Sequence, residues 1–159
     1  MIACRRFFKN TFEQKGIARM KNLRILVIDG QGGGIGRQLV EAIREAAIPC
    51  EITAVGTNTA ATAAMLKSGA DQGATGENAV AVCARDAEII TGPVGIAIAD
   101  SLLGEITPRM ALAVGQSPAR KLLLPVNHCS NIIVGVGDLS LRTLTQEAVR
   151  RIREMAEEA

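Results

Sequence analysis

The first regular pattern in the chain is "LRILVID" at residues 23–29, an almost continuously apolar run. A strand covered by helices on both faces reads this way, whereas a strand with one wet face alternates. From about Gly34 the period changes. Ile35, Leu39 and Ile43 recur every four residues while Arg37, Glu41, Arg44 and Glu45 are free to face water, which predicts an amphipathic helix. A second strand is predicted at Ile52–Val55, ending in Gly56-Thr57-Asn58. Thr57 or Asn58 then caps the alanine-rich helix "AATAAMLKSG", with Gly69 as its stop.

Downstream the alternation continues. "DQGA" predicts a very short third strand, "TGENAVAVCAR" a helix or a turn, and "AEIIT" a fourth strand stopped by Gly92-Pro93. Residues 94–115 predict two short helical pieces, the second begun by Thr107 as N-cap with Pro108 in the first helical position. "RKLLLPV" and "NIIVGV" predict strands five and six. The closing helix is expected near Thr143, where Gln146 completes a capping box, with Leu144, Ala148, Ile152 and Met155 as its buried stripe. Strands alternating with helices define an α/β domain in three layers, with a mostly parallel sheet of five to six strands.

Composition changes this picture at one end. All three phenylalanines (Phe7, Phe8, Phe12) fall in the first dozen residues of a 159-residue chain without Trp or Tyr. The same leader carries Arg5, Arg6, Lys9, Lys15 and Arg19 against Glu13, a net +4 in a chain of net +2, so the body is near −2. Residues 1–19 are therefore expected to be a basic, disordered extension, residues 20–159 the folded domain, and Met20 a second start. No apolar core follows Arg5-Arg6, which argues against an export signal. A body without excess positive charge argues against a nucleic-acid partner. No stretch approaches the roughly 18 apolar residues of a membrane span. Cys4, Cys50, Cys83 and Cys129 show no close pairing and the chain has a single histidine, so reduced thiols in the cytoplasm are expected, and no metal site.

The candidate chemistry lies in the turn after the first strand, "DGQGGGIG" at residues 29–36. Glycines joining a buried strand to a helix bare the backbone N–H groups that receive an anion at the helix N-terminus. Gly30, Gly34 and Gly36 fit G-x-x-x-G-x-G, a spacing similar to that of short-chain dehydrogenases. A Walker loop is excluded because no Gly-Lys-Ser/Thr follows. The expected binding segment is Gly30, Gln31, Gly32, Gly33, Gly34, Ile35 and Gly36. Gly32 and Gly33 would admit the pyrophosphate, Gly36 would seat the helix on the sheet, and Asp29 would brace the loop from below.

The remainder of a dinucleotide signature is absent. The acidic residue expected about 20 positions on, at the end of strand two, is replaced by Gly56-Thr57-Asn58. NAD(P) or another nucleotide is permitted without being singled out. The short-chain dehydrogenase proton relay needs a Tyr, and the chain has none. Asp29, Thr57, Asn58, Thr75, Glu77, Asn78, Thr91 and Asn127 fall at predicted strand ends, the edge at which open α/β sheets bind ligands. Of these, Thr57, Asn58, Glu77, Asn78 and Asn127 complete the expected binding set. Glu77 and His128 are the candidate acid or base should the protein be an enzyme; no catalytic residue is otherwise assigned.

"VIDGQGGGIG", "GTNTAATAAMLKSGADQGATGEN" and "LLPVNHC" resemble a family of small bacterial proteins known only as a domain of unknown function, DUF3842. The likeness spans about Met20 to Ala156 and leaves the leader outside. It implies a single Rossmann-like domain of the bacterial cytoplasm and brings no substrate or catalytic residue with it. Two functions remain open: a sensor or accessory protein that holds a phosphate-bearing small molecule, or a nucleotide-dependent or NAD(P)-dependent enzyme. A mean hydropathy of +0.21 points further to apolar surface shared in a homodimer.

Overall fold

The run at residues 23–29 is strand β1 (Leu23–Asp29), and it lies at the centre of the sheet. In the computed structural model, which describes residues 22–126 and 131–158, five strands pair in the order β3-β2-β1-β4-β5 and every pairing is parallel. The others are β2 (Cys50–Gly56), β3 (Gln72–Thr75), β4 (Ile89–Pro93) and β5 (Arg120–Leu124). Between them run α1 (Gly34–Glu45), α2 (Thr59–Lys67), α3 (Glu77–Asp86) and α4 (Pro108–Gln116), and α5 (Leu141–Glu157) closes the chain. The order reverses direction at β1 and β4, the Rossmann-like arrangement whose crevice lies outside the carboxyl ends of those two strands.

Alternation along β1 divides the core. Leu23, Ile25 and Val27 pack with Leu39 and Ile43 of α1, Met65 of α2 and Ile152 of α5. Leu26 and Ile28 point the other way, onto Val80 of α3 and Met110 and Val114 of α4. Both faces of β1 are buried, which is why its sequence shows no polar period.

The short elements follow their local signals. Asn58 caps α2, its side chain accepting from the Ala61 N–H at 2.9 Å, and Thr107 caps α4, accepting from the Met110 N–H at 3.2 Å. Residues 77–86, open between helix and turn in the sequence, form a helix, and of the two pieces expected in 94–115 the first is a single 3-10 turn at Val94–Ala97.

Two expectations are corrected. No strand forms in residues 131–136: Ile132 and Val134 are 87% and 93% exposed, and without a neighbour to pack against β-branched side chains give no strand. The closing helix begins at Leu141 instead of near Thr143, because the Ser140 hydroxyl accepts from the Thr143 N–H at 3.1 Å and caps it three residues before Thr143. Of its stripe, Ala148 and Ile152 are buried while Leu144 and Met155 are partly so. The expected leader at 1–19 lies outside the described residues.

Candidate functional site

The glycine loop leaves β1 at Asp29 and enters α1 at Gly34. The Asp29 carboxylate, 4% exposed, accepts from the Gly30 N–H at 2.8 Å and the Gly36 N–H at 2.7 Å, tying the end of the strand to the first turn of the helix. Burial pushes its carboxyl above the ordinary value, and the hydrogen bonds from Gly36, Gly30 and Ile35 pull back against that.

The glycines of this loop have different causes. Gly33 has a φ of +70°, and a side chain there would meet the Ala61 Cα at 2.7 Å, so it serves the turn and the approach of α2. At Gly36 a Cβ would run into the Met65 sulfur and the Asp29 Cβ, and at Gly30 it would lie 2.7 Å from Glu105 Oε2 and 2.8 Å from the Thr57 hydroxyl. Gly32 and Gly34 have no such reason: each would place a Cβ in open space, and neither has a left-handed backbone. Their N–H groups also have no intramolecular acceptor among the described residues, whereas Gly33 N–H donates to Gly30 O at 2.9 Å.

Gly32 and Gly34 border a cleft of about 240 Å³ at the β1/β4 reversal. Its walls are Gln31, Ile35 and Gln38 on the loop and α1, Pro93 at the end of β4 with Val94 and Gly95 after it, Leu102, and Val126, Asn131 and Leu141 from the last third of the chain. Asp29 is the ionisable side chain among these walls.

Thr57 and Asn58 stand at the end of β2 as expected, but their polar atoms turn to a residue that the sequence did not single out. Glu105, from the loop before α4, takes the Gln31 N–H at 2.8 Å, the Asn58 amide at 3.1 Å and the Thr57 hydroxyl, all on Oε2. The Asn58 amide also donates to Gln31 O at 2.9 Å, so the left-handed Gln31 peptide (φ 50°) is clamped on both sides. The bond from Thr57, then that from Gln31, hold the Glu105 carboxyl below its ordinary value against partial desolvation. No local motif marks Glu105; "GEITPR" reads only as the approach to a helix cap.

Other expected residues lie apart from the cleft. Glu77 accepts from the Thr107 hydroxyl at 2.7 Å and from Arg109 at 3.1 Å, and those two bonds, Thr107 first, depress its pKa. Asn78 is exposed on α3 beside it. Thr91 is fully buried and donates to Leu122 O of β5, and Thr75 bonds to the Thr62 hydroxyl at 2.7 Å. Neither is part of a rim. Asn127, His128 and Cys129 lie outside the described residues.

The parallel order, with a glycine turn at the central strand and a cleft at the reversal, defines a Rossmann-like α/β domain. The chain belongs to the family named Domain of unknown function (DUF3842), whose model matches residues 24–157. No curated protein matches it in sequence. Among solved structures it is similar to a dodecameric FMN-dependent UbiX-like decarboxylase from Escherichia coli O157:H7, at 18% identity and TM-score 0.42, covering 81% of this chain and 75% of that one. It is also similar to AibC, at 14% identity and TM-score 0.43, covering 87% of this chain and 44% of that one. Among the described residues no helix is long and apolar enough to cross a membrane.

Proposed function

We propose that the protein binds a phosphate-bearing small molecule, a nucleotide in the broad sense, with segment 30–36 receiving the phosphate, and acts as a sensor or accessory protein without chemistry of its own. The observation that carries this reading is the pair Gly32 and Gly34 on the wall of the cleft: bare backbone that, among the described residues, no packing or turn requires and whose N–H groups are unspent. A phosphate oxygen there would accept charge-assisted bonds of about 1.5–3 kcal/mol each, with a further ~0.3–1 kcal/mol from the end of α1. Gln31 and Gln38 line the same cleft with amide side chains able to meet sugar or phosphate oxygens. Binding without chemistry is favoured because Asp29, the ionisable wall residue, is committed to backbone amides, and Glu77 is committed to Thr107 and Arg109.

A homodimer is part of the proposal. Leu103, Ile132, Val134 and Leu139 are exposed apolar side chains that a second copy would cover, and sedimentation of the protein as a monomer at micromolar concentration would remove that element.

The test is a thermal-shift panel of nucleotides, NAD(P), flavins and inorganic phosphate. At a hundredfold excess over Kd a true ligand adds about 2.7 kcal/mol, roughly 5–10 °C in a domain of this size. The shift should vanish in Gly32→Val. A panel in which no compound moves the melting point overturns the reading.

A further inference from the structure

We infer that Glu105 closes the half of the crevice over β2, so that the site takes a mononucleotide-type phosphate monoester and rejects a dinucleotide; this rests on the function proposed above. A dinucleotide lies across the crevice from one half of the sheet to the other, with its adenosine ribose held at the end of β2. The polar groups at that place are the Thr57 hydroxyl and the Asn58 amide, together with the Gln31 N–H beside them, and all three donate to a single oxygen of Glu105. The Glu105 side chain is thus wedged between the loop and the end of β2, in the space of the second ribose, with Oε2 filled by donors of the chain itself instead of by ribose hydroxyls.

The closure is built into the backbone on both sides. Gly30 lacks a side chain where Glu105 Oε2 and Leu102 Cδ1 come within 2.7 and 3.0 Å of the Cβ position, so the loop is shaped around the carboxylate and not around a ligand. The segment that delivers Glu105 holds Asp100, Leu102 and Leu103 at φ of 62°, 55° and 58°, conformations that side-chain-bearing residues rarely adopt. Such a turn persists only where its surroundings hold it, and here Leu102 is buried, the Asp100 N–H donates to Ile106 O at 2.8 Å and the Ser101 hydroxyl donates to Gly95 O.

Among the described residues the other half of the crevice is open. From Gly32 and Gly34 the cleft runs towards β4 and α5, between Pro93, Val94, Val126 and Leu141, walls suited to the flat or apolar body of a ligand whose single phosphate rests on the loop.

Two pairs of probes test this, nicotinamide mononucleotide against NAD and FMN against FAD, because each dinucleotide contains its partner plus an AMP half. Isothermal titration with the full chain should show at least one mononucleotide binding tenfold or more tightly than the dinucleotide that contains it. In Glu105→Ala that ratio should fall to within about threefold. Equal affinities within both pairs in the unaltered protein would overturn the inference while leaving phosphate binding intact, as would an unchanged ratio in Glu105→Ala. No binding by any of the four, or by inorganic phosphate, would overturn both readings. The ratio in the unaltered protein decides the matter if the variant does not fold.

Discussion

Replacing Gly34 by alanine separates a glycine needed by the fold from one spared for a ligand. Gly34 is the first residue of α1, its backbone is helical, and an added Cβ meets nothing within 4 Å. Removing a glycine at such a compatible position stabilises by about 0.4–1 kcal/mol, chiefly by restricting the unfolded chain. In a domain of this length that is a rise of roughly 1–4 °C in Tm. Two residues on, Gly36→Ala has the opposite outcome, because its Cβ would press on the Met65 sulfur and come 2.9 Å from the Asp29 Cβ. Overpacking of that kind costs about 1–3 kcal/mol. Thermal and urea unfolding of both variants gives the stability arm, and titration with whichever compound shifts the melting point gives the binding arm. Gly34→Ala should be more stable than the natural protein and bind at least tenfold more weakly. A Gly34→Ala variant that unfolds as early as Gly36→Ala, or that binds at full strength, refutes the reasoning.

Asp29→Asn leaves the Gly30 or Gly36 N–H facing an amide NH2, which should cost about 1–3 kcal/mol in urea unfolding at neutral pH. Burial holds the natural carboxyl above 3.8, so its contribution is largest below that pH and declines as pH rises to the folded value; the variant should lose this slope. Asp71 behaves oppositely: partial desolvation raises its carboxyl, but the Ile52 N–H and Arg44 outweigh it and hold it below 3.8. Asp71→Asn should therefore cost about 0.5–1 kcal/mol at neutral pH and converge with the natural protein as acid protonates Asp71, measured as urea midpoint against pH. Burial raises the Cys50 and Cys83 thiols above their ordinary value, so peptide-resolved mass spectrometry should show both alkylated by iodoacetamide more slowly than free cysteine at pH 7.

Much of the fold was legible in local sequence because its signals are local. The almost continuously apolar run at 23–29 announced a strand buried on both faces, the four-residue recurrence from Ile35 announced α1, and Asn58, Thr107 and Pro108 marked helix starts that formed where expected. "NIIVGV" failed because β propensity reports a neighbour to pack against, which no six-residue window contains. The start of α5 was misplaced because two hydroxyl residues three positions apart, Ser140 and Thr143, could each cap it, and only the placement of Leu141 against the core chose between them.

For the site, the sequence by itself determined that a glycine turn follows the first strand and that Asp29 stands at its base. Tertiary structure decided what each glycine is for, since that depends on Ala61, Met65 and Glu105, which lie 25 or more residues away along the chain. It also placed Glu105, 74 residues from Gln31, where the sequence showed the end of β2 without a carboxylate. The physical reason is one of range: periodicity and capping are fixed within a helical turn, while the occupancy of a hydrogen-bond donor depends on whatever the folded chain brings within 3 Å of it.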